Sequence, residues 1–273
     1  MTLSDAGFLD IGRQRLEYRM IGPLPHTAPT LVLLHEGLGC VGLWGDFPER
    51  LAAATGAGVF VYSRAGYGRS SAVELPRPLS FMHDEAREVL PLLFAAIGFR
   101  RGVLVGHSDG ASIAAIYAGS VQDHRVRGLV LMAPHFFPED VTVNAVTQAR
   151  EAYVRGDLRA RLARWHTHVD CAFRGWSESW FNPDFRRWDI TEELAYIRVP
   201  ILIVQGAGDQ YGTVRQLETA QEECYCPVEV ALLPEAGHAP HREAPQVTLD
   251  LVSGFVTRLF RDHREGDLAA HAA

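Results

Sequence analysis

Ser108 lies in the run Gly106-His107-Ser108-Asp109-Gly110, with a glycine two residues to either side. Residues 102–105 before it read as a short apolar strand, and 111–121, small and apolar, read as a helix. A serine hydroxyl is a weak nucleophile until a neighbouring base takes its proton. A tight strand-to-helix turn lifts such a hydroxyl clear of the sheet, and the flanking glycines remove the collisions that the turn would cause. The following helix directs its free N–H groups and positive end at the reacting atom. The plainer alternative is a serine that merely caps a helix. The glycine spacing, set between strand and helix, favours nucleophilic chemistry.

The base for such a nucleophile is expected to be a histidine whose tautomer is held by a buried carboxylate. Residues 200–204 run as an apolar strand into Gln205-Gly206-Ala207-Gly208-Asp209, and 228–233 lead into Pro234-Glu235-Ala236-Gly237-His238. Asp209 is read as the acid and His238 as the base, with His241, three residues on, as its competitor. All three side chains fall just past the carboxyl end of a strand, where open α/β sheets place their sites.

These positions need a frame. Short β-branched runs alternate with helical patterns along most of the 273 residues, which points to a mostly parallel sheet with helices on both faces. An antiparallel pair is predicted at 8–11 and 15–21, then strands at 30–34, 58–62, 102–105, 128–132, 200–204 and 228–233, making an eight-stranded sheet. Helices are expected at 44–54, 80–97 and 111–121. Residues 135–199 differ in character, with a charged amphipathic helix at 150–165 and an aromatic stretch at 171–188. A segment so long is more than a loop. It is expected to form a helical cap over the carboxyl edge of a core built from 1–134 and 200–273. Most of its aromatics should weld cap to core, with Trp176 and Trp180 as candidates to face a substrate cavity. The tail, 264–273, is expected to fray.

Apolar residues make up 47% and charged residues 22%, the balance of a globular chain able to bury a full core. A net charge of −7 argues against nucleic acid, whose recognition starts from a basic face. No run approaches the ~18 apolar residues of a membrane span. The opening residues lack the basic and apolar segments of a secretory signal. Cys40, Cys171, Cys224 and Cys226 have no zinc spacing and are expected as reduced, mostly buried thiols. A cytoplasmic protein acting on a small molecule is the expectation, with no metal and no organic cofactor. A homodimer is compatible with it.

From about residue 8 to 262 the chain resembles an α/β-hydrolase fold serine hydrolase with a helical cap. The resemblance rests on the Ser108 turn, the Asp209 and His238 loops, and their order along the chain. It implies Ser108 as nucleophile, Asp209 as acid and His238 as base, with His35 and His107 as structural neighbours. It also implies an oxyanion hole of two backbone N–H groups. One comes from Asp109, the other from His35-Glu36-Gly37-Leu38-Gly39. Such proteins usually write this loop as His-Gly followed by the donor. Here Glu36 takes the glycine position, and registering the loop backwards from Trp44 makes Gly37 the donor, with Leu38 next in line. Relatives often carry an acid near the position of Ser63, and the loop 63–70 is read as structural.

Glu36 and Asp109 frame the nucleophile. A loop tie accounts for the first and the helix dipole for the second. The sharper reading has one of them meet a cationic or hydroxyl-rich substrate group, as the equivalent Asp does in valacyclovir-hydrolase-like relatives. Glu36, Leu38, Trp176 and Trp180 are the candidate substrate contacts. The reaction implied is hydrolysis of a carboxylic ester, lactone or thioester through an acyl-serine, with activity falling on the acid side because the base must be neutral. The same residues also serve carbon–carbon bond hydrolases, cofactor-free perhydrolases and, without turnover, ligand receptors that signal through a cap.

Overall fold

Strands that are apolar along their whole length must be covered on both faces, and they form the middle of the sheet. β3 (Thr30–Leu34), β4 (Gly58–Tyr62) and β5 (Gly102–His107) are buried at every residue. Around them lie β1 (Ala6–Ile11), β2 (Gln14–Ile21), β6 (Val126–Met132), β7 (Ile201–Gly206) and β8 (Val228–Leu233). Their order across the sheet is β1-β2-β4-β3-β5-β6-β7-β8. β2 runs antiparallel to both its neighbours, and every other pairing is parallel. This is the eight-stranded, mostly parallel sheet expected. The computed structural model describes residues 3–271, with side chains as far as 261; residues 264–271, expected to fray, are helical, and 272–273 lie outside the described residues.

The helices divide between two apolar clusters. α1 (Phe47–Thr55) and α11 (Pro245–His271) pack together on one face, burying Phe47, Leu51, Val252, Phe255 and Val256. On the other face lie α2 (Phe81–Asp84), α3 (Leu90–Ile97), α4 (Asp109–Ser120) and α9 (Arg215–Glu223), while the short α10 (Pro240–Glu243) precedes α11. Between β6 and β7 come α5 (Asp140–Arg155), α6 (Leu158–Leu162), α7 (Val169–Phe181) and α8 (Thr191–Tyr196). α8 packs on α4 so tightly that a Cβ on Gly119 would sit 2.3 Å from the Glu193 carbonyl oxygen.

Three helices depart from expectation. The helix predicted at 44–54 is a 3-10 turn at Val41–Trp44 followed by α1 from Phe47. Gly45, at φ +62°, ends the turn, and Pro48 sits in the first turn of α1, where its missing N–H costs nothing. The helix predicted at 80–97 passes through a π-turn at Glu85–Val89. Pro91 has no N–H to continue the ordinary ladder there. The helix predicted at 150–165 begins ten residues earlier, as α5, and breaks at Gly156, whose backbone is extended. The four cysteines are free, but only Cys40 is fully buried. Among the described residues no helix is long and apolar enough to cross a membrane.

Candidate active site

The turn after β5 is held in a conformation that few side chains adopt. Ser108 has φ 52° and ψ −120°, a strained region that costs about 1–3 kcal/mol and persists only where the surroundings enforce it. They do so here. The Ser108 N–H donates to the Met132 carbonyl at 2.9 Å, and its own carbonyl accepts from the N–H groups of Ala111 and Ser112. Side chains at the flanking positions would not fit. A Cβ on Gly106 would lie 2.3 Å from the Gly110 carbonyl oxygen, and one on Gly110 would lie 2.0 Å from that of Leu34.

His238 is brought to this turn by the loop after β8. Glu243 grips that loop on both sides of the ring, accepting from the N–H of Gly237 at 2.7 Å and of Ala239 at 2.9 Å. Gly206, at the end of β7, lets the loop approach, since a Cβ there would lie 2.1 Å from the Ala236 carbonyl oxygen. His238 Nε2 is 2.9 Å from the Ser108 Oγ, and its Nδ1 is 2.9 and 3.0 Å from the two oxygens of Asp209. Asp209 Oδ1 also accepts from the N–H groups of Tyr211 and Gly212. Burial alone would raise the Asp209 pKa, but the bond to His238, that ring's charge and the Tyr211 N–H together lower it. Ser108, His238 and Asp209, which the sequence places far apart, form one hydrogen-bonded line. His241 does not compete: it is buried between Trp44 and Phe47.

Among the described residues, none accepts a hydrogen bond from the peptide N–H of Gly37, Leu38 or Asp109. The loop carrying the first two is clamped from behind. Arg64, fully buried, donates through its guanidinium to the carbonyls of His35 and Glu36, and its N–H donates to His35 Nε2. His35 Nδ1 in turn donates to the Glu36 carbonyl at 2.7 Å, which fixes the tautomer. Leu38 is half-buried, and its carbonyl accepts from His166 Nε2 at 3.0 Å. The Glu36 carboxylate is taken up by His107, at 3.5 Å from Nδ1, and by the space beside Gly39. That is the loop tie, and it gives no support to Glu36 as a substrate contact. The loop 63–70 is structural. Ser63 Oγ accepts from the Val41 N–H and donates to buried Glu17, which also receives the Arg69 guanidinium.

Residues from α7 lie over this loop. Trp176 presses on Gly37, where a Cβ would meet the indole Nε1 at 2.2 Å. Trp180 stands edge-on to His135, and His135 lies 5.7 Å from the ring of His238. Tyr211 covers His238 on another side, at 4.6 Å between centroids. Asp109 is buried beneath, and among the described residues neither carboxylate oxygen has a hydrogen-bond partner. Burial raises its pKa against the opposing charges of Arg64, Arg77 and His238. His135, Tyr211, Arg64 and Glu243 were not foreseen. No short motif marks them, and only the folded chain brings them to the site.

The buried imidazoles make stability depend on pH. Burial, then the neighbouring charge of His238, holds His135 down to about 4, and burial, then His107, holds His241 to about 3. Both stay neutral in the folded chain, whereas the unfolded chain takes up protons near pH ~6.5. Their contribution is complete above that pH and is lost as pH falls toward the folded values, at about 1.4 kcal/mol per unit of displacement. Urea midpoints should therefore drop steadily from pH 6.5 to 4.5, and less steeply in His241→Phe. Equal slopes in the two proteins would contradict this account.

The sequence profile of the alpha/beta hydrolase family matches residues 31–251. The chain is 25% identical over 252 residues to the 3-oxoadipate enol-lactonase 1 of Acinetobacter baylyi, covering 85% of this chain and 90% of that protein. It is 28% identical over 213 residues to the N-formylmaleamate deformylase of Pseudomonas putida, covering 71% and 76%. A human (lyso)-N-acylphosphatidylethanolamine lipase is 29% identical over 171 residues, which is 61% of this chain but only 49% of the lipase. Among solved structures, an enol-lactonase from Burkholderia xenovorans superposes with a TM-score of 0.73 at 21% identity, covering 92% of this chain and all of that one. With the eight-stranded sheet and the turn after β5 on the same frame, the chain belongs to the alpha/beta hydrolase family.

Proposed function

We propose that the chain is a serine hydrolase that cleaves a carboxylic ester, lactone or thioester of a small molecule through an acyl-serine. The observation that carries this reading is the line Asp209–His238–Ser108, joined at 2.9–3.0 Å along its length. His238 Nε2 takes the hydroxyl proton as Oγ adds to the substrate carbonyl, and the charge that develops on the carbonyl oxygen falls to the N–H groups of Gly37 and Asp109. His238 returns the proton to the leaving oxygen or sulfur, and the C–O or C–S bond breaks. Water, deprotonated by the same ring, then releases the acid and restores the serine. Asp209 keeps the Nδ1 proton in place throughout. No step calls for a metal or an organic cofactor.

The helices of 135–199 serve as a cap in this reading. Ser108 is only 6% exposed and Trp176 rests on the oxyanion loop, so substrate enters when the cap residues give way. A lactonase and a deformylase among the relatives are both named for acyl transfer to water, which supports the same class of reaction here. A fluorophosphonate probe should label the folded protein once, on Ser108, and label Ser108→Ala not at all. An unlabelled wild type, or a variant that labels as well as the wild type, would sink the proposal.

A further inference from the structure

Glu36 stands where the resemblance leads one to expect glycine, and the reaction above gives its carboxylate no part. Its Oε2 lies 3.5 Å from His107 Nδ1. Gly39 makes room for it, since a Cβ there would lie 2.3 Å from that oxygen. His107 is buried, and its other nitrogen, Nε2, is 2.7 Å from the backbone carbonyl oxygen of His238. A carbonyl can only accept, so Nε2 carries the proton in that bond. Nδ1 is left to meet the carboxylate. Among the described residues Nδ1 has no hydrogen-bond partner, so the carboxylate at 3.5 Å is the polar group that faces it. Burial alone would raise the Glu36 pKa, but the His107 side chain beside it holds it well below the usual carboxylate range.

Three loops meet at these two side chains. Glu36 precedes Gly37, and its carbonyl is fixed by His35 Nδ1, the Gly39 N–H and Arg64. His107 precedes Ser108 at the end of β5. The carbonyl it binds belongs to His238 itself. We infer that Glu36 and His107 act as a positioning pair, a carboxylate–imidazole–carbonyl chain that sets the oxyanion loop and the His238 loop at fixed distances from the Ser108 turn. The inference rests on Ser108 as nucleophile and His238 as base. Its role is geometric, because neither side chain reaches the reacting atoms.

A misplacement of about 1 Å in a catalytic constellation can cost ~10²-fold in rate. Turnover of p-nitrophenyl acetate by Glu36→Ala and by His107→Phe is therefore expected to fall about 30- to 100-fold in kcat, with KM within about threefold of wild type. The double variant should lose no more than the worse single one, because the two act as one unit. Glu36→Gln, which still places a hydrogen-bonding group opposite Nδ1, should recover to within about fivefold of wild type. Losses that multiply in the double variant, a change confined to KM, or a Gln variant as poor as the Ala one would each overturn the pairing. Amide exchange read by mass spectrometry tests the same link without turnover. Residues 234–243 should exchange faster in Glu36→Ala than in wild type while 201–206 stay as protected as before. Unchanged exchange at 234–243 overturns the pair even if the nucleophile is correctly assigned. If Ser108→Ala turns over the ester like the wild type, the nucleophile assignment fails by itself, and the exchange result then decides the pair alone.

Discussion

Replacing Ser108 with Ala is expected to lower kcat on a p-nitrophenyl ester by about 10⁶, and adding His238→Ala should cost little more. The reason lies in how the two side chains share a single event. In the proposed reaction the hydroxyl adds only as its proton leaves, and the path for that proton is short: Oγ to Nε2, 2.9 Å. Without the hydroxyl the base has nothing bound to deprotonate except solvent. Without the base the hydroxyl stays protonated and adds slowly. Once either is gone the other contributes almost nothing, so the losses cannot multiply. What should persist is a residual rate of roughly 10³–10⁴ over water from the oxyanion donors and from binding. Kinetics on the two single variants and the double, with the fold of each checked by circular dichroism, decide the matter. If the double variant is slower than either single one by several orders of magnitude, the two residues act independently and the proposed reaction is wrong.

The middle of the sheet was legible because its strands are short, continuous and apolar, the pattern of a parallel strand covered on both faces, while the partly exposed edge strand β8 was marked by its β-branched residues between loop signals. Thr30–Leu34, Gly58–Tyr62 and Val228–Leu233 match their expected bounds residue for residue. The helices were less so, and each miss has a local cause. Gly45 and Pro48 moved the start of α1, Pro91 forced the π-turn before α3, and Gly156 divided the helix expected at 150–165. Its early part was hidden because α5 buries only Thr142, Ala145 and Val146, two small residues and one hydroxyl side chain among polar neighbours. Periodicity cannot register so thin an apolar stripe.

At the site, legibility followed backbone constraint. Ser108 and its two glycines are readable because the turn tolerates little else, and Asp209 and His238 because strand ends deliver them. The second layer obeys no such rule. Arg64 reaches the carbonyls of His35 and Glu36 from 29 and 28 residues further along the chain, and His135 comes to His238 from the end of another strand. Glu36 was open to two readings in the sequence because its loop could turn the carboxylate either way. The missing Cβ at Gly39 and the His107 ring settle which way it turns. A residue's type says what bonds it can make, and the packing around it says which one it does make.

Asp209→Asn should lower kcat by about 10⁴ while KM changes little, and the geometry says how. Asp209 Oδ1 accepts from the N–H groups of Tyr211 and Gly212, at 2.8 and 3.3 Å. An asparagine must keep its oxygen on those two donors, because its amide nitrogen can accept from neither. Its NH₂ is then left facing His238 Nδ1, where the carboxylate now lies at 2.9 and 3.0 Å. A donor in that place is satisfied only by a bare Nδ1, so the ring takes the other tautomer and carries its proton on Nε2. That proton points at the Ser108 Oγ, and the ring can no longer receive the one it is meant to take. The variant should keep its shape and packing and lose its base. Fluorophosphonate labelling should slow in proportion to kcat. An Asp209→Asn protein within tenfold of wild type would mean that residue 209 does not set the tautomer and that another group supports His238.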